Sequence, residues 1–286
     1  MKILRLVLLL SAGVMLWNCN PQEDDIIPEG IEEKYTLPQG NHEFDDKIVE
    51  FYDSTGVFVL YRYESLDANW NITGLYPNTN YPLEVVLPEE EALELGVRMV
   101  FENLLDLYPL STLKETLPRK VLLADSILKK SSSQGEAALA EYTYAFDNIC
   151  IGNVNASLAS VDKKEFKAML NLAYISYCID YGKMVVPEAF YAMVDYSKVT
   201  ASNASKYAIV KRSPNMGAKE DMLGYLNMIF TEDQTGMDTW WFDTFWGFDS
   251  PFDADGLCKK RCGILVDEMK RLYNIDLEAL TGLDLK

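Results

Sequence analysis

Apolar residues recur three and four positions apart in several segments of the chain, which is the spacing of one face of an α-helix. The clearest stripe lies in residues 162–178 and consists of Phe166, Met169, Leu170, Ala173, Tyr174 and Tyr177. Asp162 precedes the stripe and suits the N-cap of this helix. By the same criterion, helices are predicted at 44–52, 88–108, 110–117, 187–196, 219–230 and 257–273, with a short turn at 276–280.

Strands are predicted where β-branched and aromatic residues follow one another between polar or proline-containing segments. Three segments meet this description: 57–63, 120–126 and 146–154. They precede the long run of predicted helices. The expected fold class is therefore α+β, with a small sheet in the first half and a helical second half.

The N-terminus has the pattern of a targeting segment. A basic start and an apolar run end at Asn18, which is shorter than the roughly 20 apolar residues that span a bilayer. The string LWNC at 16–19 resembles a bacterial lipobox, in which the cysteine carries the lipid. We predict a signal peptide at 1–18, lipidation of Cys19, an acidic lipid-anchored tether at 19–43 and a single folded domain at 44–286. The alternatives are a plain signal peptide with a leftover cysteine and an ordinary solvated linker.

Charge and histidine content exclude whole classes of function. Asp and Glu number 44 against 26 Lys and Arg, which gives a formal net charge of −18. Such a chain repels phosphate backbones, so nucleic acid is a poor candidate partner. His42 is the one histidine of the sequence, and sites that need two imidazoles are excluded within one chain. His42 lies at the edge of the predicted tether, where we expect a surface residue.

Four cysteines follow Cys19, at positions 150, 178, 258 and 262. An exported protein can form disulfides, and Cys258 and Cys262 share one face of a predicted helix. A bridge within one helix is strained, however, and two thiolates do not complete a tetrahedral zinc site. We expect four mostly buried thiols and leave their pairing open.

Six short strings, taken in their order along the chain, resemble those of a known family of exported lipoproteins. They are FVLYRY at 58–63, LKETLP at 113–118, IGNVN at 151–155, FKAM at 166–169, PEAF at 187–190 and KEDML at 219–223. On these strings the chain resembles the zinc-binding metallopeptidase family, also described as substrate-import-associated zinc metallohydrolase lipoproteins. The resemblance spans most of 44–283 and implies a zincin-like metallopeptidase fold.

Members of this family carry H-E-x-x-H on the helix that the FKAM string enters. In that motif two histidines hold zinc and the glutamate activates a water. In the matching register Asn171 and Ile175 stand at the ligand positions and Leu172 stands at the position of the base. Glu220 and Asp221 match acids near the metal site of the family and form, at most, a remnant of it. The resemblance therefore implies the fold, while the residues predict that zinc and its catalysis are lost.

Two surfaces are candidates for ligand binding. With apolar residues at the motif positions we expect a filled cleft, and the alternative is an apolar groove that stays open. Trp240, Trp241 and Trp246 stand among acids and can stack sugar rings as a glycan platform. However, Trp241, Phe245 and Phe248 share helical spacing, and we favour an ordinary core stripe there.

The family resemblance also implies a location and partners. We expect a lipid-anchored protein of the outer membrane, exposed at the cell surface, that works beside a TonB-dependent importer and its binding lipoprotein. Its expected role is noncatalytic capture of a peptide or glycan before uptake. The alternatives are an active metallohydrolase with a non-standard metal site, including acids such as Glu220 and Asp221, and a glycan-binding module built on the tryptophans.

Overall fold

In the computed structural model of the chain, the described residues are 34–69, 83–129, 138–210, 216–239, 248–249 and 255–286. The chain divides into two units, Met1–Thr36 and Leu37–Lys286, and every element named below belongs to the second unit. This unit begins ahead of the domain start predicted at residue 44. Within it, the Gln39 side-chain oxygen accepts hydrogen bonds from the backbone amides of Tyr61 and Arg62 at 2.9 and 3.2 Å.

The described helices and strands follow the predicted order, with additional strands. The helices are α1 Asp45–Thr55, α2 Glu90–Val100, α3 Leu110–Thr116, α4 Lys163–Asp180, α5 Glu188–Tyr191, α6 Ala218–Thr231, α7 Gln234–Thr239, α8 Leu257–Tyr273 and α9 Leu277–Thr281. The strands are β1 Phe58–Leu60, β2 Leu83–Val86, β3 Lys120–Leu123, β4 Ser126–Lys129, β5 Ala138–Ala140, β6 Tyr142–Ala145 and β7 Asn148–Ile151. The α+β prediction is confirmed. None of the helices in the described ranges has the length and hydropathy of a membrane-crossing segment.

The strands form two sheets. The larger has the order β1-β3-β7-β6, with the first three strands parallel and β6 antiparallel to β7. The cross-strand partners Val59, Val121 and Ile149 are inaccessible to solvent and their neighbours are buried, so the three parallel strands are covered on both faces. The smaller sheet is antiparallel, in the order β2-β4-β5.

The predicted strand at 120–126 is divided between the two sheets. The Ala124 amide donates to the Ile151 carbonyl at 2.8 Å, whereas the Asp125 amide donates to the Val86 carbonyl at 2.8 Å. The backbone therefore leaves the larger sheet after Leu123 and enters the smaller one at Ser126. A strand in each sheet thus comes from one short, continuous stretch of the chain.

Helix α4 lies between the larger sheet and α6, and it also contacts the turn that follows α2. Asp162 caps it as predicted, and its carboxylate accepts from the amides of Lys164 and Glu165 at 2.8 and 3.2 Å. Most of α4 is buried, including both Leu170 and Ile175. Any polar side chain on its inner faces must therefore find its partner within the protein.

The helix predicted at 88–108 changes geometry part-way along. It is an α-helix over α2 and then forms a π turn at Phe101–Leu105. The Asp106 amide donates to the Phe101 carbonyl at 2.8 Å, and the Leu107 amide donates to the Leu104 carbonyl at 3.1 Å. The Asn103 carbonyl, which Leu107 would occupy in a regular α-helix, is therefore available to another donor.

The segment predicted as a helix at 187–196 contains only the single turn α5, and that prediction is wrong beyond Tyr191. The Asp195 carboxylate accepts from the Ser197 amide at 3.2 Å and begins a separate 3₁₀ turn at Tyr196–Lys198. A side chain that bonds the backbone two residues on offers the chain an alternative to continued helix. This local turn explains why no helix continues through residue 196; it does not explain the end of α5 at Tyr191.

The four cysteines of the domain, at 150, 178, 258 and 262, are buried and free. The expectation of buried thiols is confirmed. Burial raises the pKa of both Cys150 and Cys178 to about 12, which disfavours the reactive thiolate. Tyr225 lies near Cys258, with its hydroxyl 3.9 Å from the sulfur.

The burial of these sulfurs predicts their behaviour towards thiol reagents. In the native chain we expect Cys150, Cys178, Cys258 and Cys262 to resist Ellman's reagent, because each is buried. In guanidinium chloride all four should react, in addition to Cys19 where it carries no lipid. Absorbance at the thionitrobenzoate band checks both states, and a shortfall in the unfolded sample would show a disulfide that this structure lacks.

Candidate functional site

Asn171, which stands at one of the motif positions, has all of its side-chain hydrogen-bonding groups engaged within the core. Its side-chain oxygen accepts a hydrogen bond from the Tyr108 hydroxyl. Its amide nitrogen donates to the Asn103 carbonyl at 2.9 Å and to the Lys167 carbonyl at 2.7 Å. Asn171 is inaccessible to solvent. With both of its amide hydrogens and its oxygen engaged, this side chain serves the packing of α4 against the π turn.

The two other motif positions differ from each other. Ile175 is completely buried in the main core and carries no atom that can bind a metal. Leu172 is half-buried and lines a cavity of about 620 Å³. The cleft expected to be filled is therefore filled at Asn171 and Ile175 and open at Leu172.

The cavity at Leu172 is built by three elements. The first half of α4 supplies an apolar floor with Phe166 and Met169, which are 3% and 9% exposed. The end of α6 supplies Asn227 and Thr231, one turn apart. Tyr142, at the start of β6, closes another side. Apolar walls with a few polar groups are typical of small-molecule pockets.

The rim of this cavity is acidic. Glu141, Asp162, Glu165 and Glu232 line it, and Lys164 is the basic residue among its lining residues. Loss of hydration raises the pKa of Glu232 above its usual range; the neighbouring charge of Asp233 adds to this effect, and Lys164 opposes it. A carboxylate in that environment gains from a cation that enters the cavity.

Asp221, one of the two acids considered as a metal-site remnant, is paired with Arg261 instead. The Arg261 guanidinium donates to the Asp221 carboxylate in an ion pair that is almost fully buried. The Tyr196 hydroxyl donates to the same carboxylate oxygen at 2.7 Å. Burial raises the pKa of Asp221, whereas the hydrogen bonds from Arg261 and Tyr196 oppose that rise.

Arg261 joins several parts of the domain. It donates to the backbone carbonyls of Tyr207 and Ala208 at 3.2 and 2.9 Å. Its guanidinium carbon lies 4.3 Å from the ring centroid of Phe190 and 5.2 Å from that of Tyr225. The pair thus connects α6 and α8 with the irregular segment between α5 and α6, which is a structural role.

The donors that zinc requires are not brought together at the motif positions. An amide with all its hydrogen bonds engaged, a leucine and an isoleucine do not fit the nitrogen, oxygen or sulfur ligands of this metal. Glu220 is half-buried in the first turn of α6, beside Asp221, which is ion-paired with Arg261. Over the described ranges, no three His, Cys, Asp or Glu side chains form a group that could hold a metal ion.

The remaining residues singled out in the sequence are His42, the aromatic residues at 240–248 and Cys19. His42 is less exposed than expected: its Nε2 lies 2.9 Å from Glu90 Oε1, and its ring stacks on Phe44 with centroids 4.6 Å apart. Phe248 is buried, with 7% of its surface exposed. Cys19 and the signal peptide lie outside the described residues. So do Trp240, Trp241 and Trp246, and the glycan-platform prediction stays a prediction.

Arg261 and Tyr196 were not predicted from the sequence. One signal for Arg261 was present, because it falls within the apolar stripe of α8 formed by Cys258, Cys262 and Leu265. A charged residue on a buried helix face needs a buried partner of opposite charge. No comparable pattern marks Tyr196, whose partner lies 25 residues away in sequence.

The fold can be compared with known proteins. No family model matches the chain, and no curated protein matches it. Among solved structures, a crystal structure of a "putative zinc-binding metallo-peptidase" from Bacteroides caccae is similar, with a TM-score of 0.51 and 12% identity. The likeness covers 87% of this chain and 92% of that one. The fold is therefore metallopeptidase-like, in agreement with the coarse part of the family resemblance.

The hydrogen bonds of Asn171 predict a large cost for its removal. We expect Asn171→Ala to lower the free energy of unfolding by about 3 kcal/mol, because it leaves the Tyr108 hydroxyl and Asn103 carbonyl without their partner. Asn227→Ala is the matched control, since no described residue forms a hydrogen bond with its half-buried side chain, and it should cost less than about 1 kcal/mol. Urea denaturation measures both, and equal losses would contradict the assigned role.

The Asp221–Arg261 ion pair predicts how the stability of single variants compares with that of the double variant. Asp221→Leu or Arg261→Met alone should destabilise the domain by about 3–5 kcal/mol, since each leaves one buried charge unpaired. The double variant should recover most of that loss. Glu268→Gln, which breaks an exposed pair with Arg271, should leave the denaturation midpoint unchanged. Additive losses in the double variant would show that the two residues act independently.

Proposed function

We propose that this chain is a noncatalytic, lipid-anchored accessory protein of the outer membrane that uses a metallopeptidase-like fold to capture a ligand before import. One observation carries the proposal: at the positions matched to H-E-x-x-H, the side chains of Asn171 and Ile175 belong to the core, while Leu172 faces an open cavity. A helix of this kind can support a binding pocket but supplies neither metal ligands nor a general base.

The proposed loss of zinc rests on the chemistry of the available donors. Asn171 would have to give up hydrogen bonds to Tyr108 and Asn103 before its oxygen could face a metal. Asp221 would have to leave Arg261, and a buried guanidinium without its carboxylate is costly. Both changes oppose metal binding, so retention of zinc at these positions is disfavoured by the packing itself.

The location and partners follow from the N-terminal pattern and the family resemblance. Lipidation of Cys19 would tether the domain through the acidic segment at 19–43, and the acids favour the outer face of the outer membrane. A TonB-dependent importer with its binding lipoprotein is the proposed partner, and a peptide or a glycan is the proposed cargo. The open cavity beside α4 supports a capture role.

The proposal predicts the metal content of the chain. After exposure to zinc and removal of excess metal, the full chain purified without a His tag should retain less than about 0.1 zinc per chain, because the described residues offer no set of donors for it. Elemental analysis by mass spectrometry measures this, together with an assay for peptidase activity. Stoichiometric zinc that is lost in Asp221→Asn, or in Cys258→Ser with Cys262→Ser, would restore the enzyme interpretation.

A further inference from the structure

The cavity beside Leu172 has the size of a small-molecule site. Its volume is 620 Å³, which is within the usual range for such pockets. Phe166, Met169 and Leu172 give it an apolar floor on α4. The ring of Tyr142 lies beside that of Tyr144, with centroids 6.3 Å apart and planes 13° from parallel. The floor therefore suits the aliphatic or flat part of a ligand.

The rim selects the charge of that ligand. Four carboxylates, those of Glu141, Asp162, Glu165 and Glu232, line the cavity together with one ammonium, that of Lys164. An anion would meet this excess of negative charge, and a purely apolar ligand would remove water from Glu232 without replacing its interactions. A cation satisfies both the carboxylates and the apolar floor.

The arrangement of the acids favours an organic cation over a metal ion. They are spread around the cavity, and no three of them gather into a group suited to a metal within the described parts of the chain. Asn227 adds a half-buried amide, and Thr231, whose hydroxyl donates to the Asn227 carbonyl at 2.9 Å, stands one turn further. A hydrogen-bonding head on an apolar stem matches these groups better than a compact, strongly hydrated ion.

We propose that this cavity binds an organic cation, namely an ammonium or guanidinium group carried on an aliphatic stem. The stem lies on Phe166, Met169 and Leu172, and the charged head reaches the carboxylates of the rim, with Glu232 the partly desolvated one. This chemistry is shared by free diamines and by lysine or arginine side chains of a peptide. The inference deepens the proposed capture role by naming the class of ligand.

Isothermal titration of the full chain tests the proposal, with cadaverine as the free amine, trilysine as the peptide and trilysine acetylated on all its side chains as the probe without side-chain charge. We expect cadaverine or trilysine to bind and the acetylated peptide to bind at least about tenfold more weakly, since it lacks the charged heads. Binding should weaken as salt is raised. Preference for cadaverine or for trilysine distinguishes the two sources.

Variants locate the binding. Glu232→Gln should weaken the cation about fivefold to tenfold, and Leu172→Lys, which places an ammonium inside the cavity, should abolish binding. Glu50→Gln is the control, because it removes the same charge from an exposed position on α1. Circular dichroism confirms that each variant folds, and Glu232→Gln, on the rim, decides the matter if Leu172→Lys does not fold.

Three results would overturn the inference: no binding of either cation, equal binding of the acetylated peptide, or wild-type affinity in the Glu232→Gln variant. The zinc measurement addresses the proposed function separately. A zinc-free chain that binds no cation would reject this ligand class alone, whereas a zinc-bearing chain that binds cations at the Leu172 cavity would reject the noncatalytic proposal alone.

Discussion

The domain depends on the burial of α4. This helix contacts the larger sheet, α6 and the π turn, and 11 of its 18 residues are buried. Under that constraint a polar residue is tolerated only with a complete set of internal partners. Asn171 has such a set, and the same constraint explains why Ile175 is apolar. The half-exposed Leu172 stands where the packing opens.

Two polar features of the core connect different sets of elements. The bonds of Asn171 hold α4 to the segment after α2, while Asp221 and Arg261 connect α6, α8 and the irregular chain before α6. In both places the elements are joined by hydrogen bonds or an ion pair, which fix the direction of the contact. Buried ion pairs of this kind contribute little net stability over apolar packing, but they define which surfaces can meet. The cavity lies on α4 and α6, the two helices that these features position.

Most helices of the domain could be predicted because each has one apolar stripe, and α8 has the predicted bounds, whereas α7 was not predicted. Strands β5 and β6 were missed, because short, partly exposed strands rich in alanine and tyrosine lack the continuous apolar run of β3 or β7. Two of the partners of Asn171, Tyr108 and Asn103, lie 63 and 68 residues away, and no local pattern encodes such contacts. The cavity was predicted only as the alternative to a filled cleft, because three separate elements enclose it.

The π turn at Phe101–Leu105 has a consequence for how this sequence is aligned with others. A π turn holds one residue more per turn than an α-helix, so a relative with a regular helix here would be one residue shorter. The Asn103 carbonyl is available to Asn171 because of that extra residue. In an alignment of relatives, the extra residue of the π turn should therefore covary with the amino acid at position 171. A relative with histidine at position 171 should lack that extra residue.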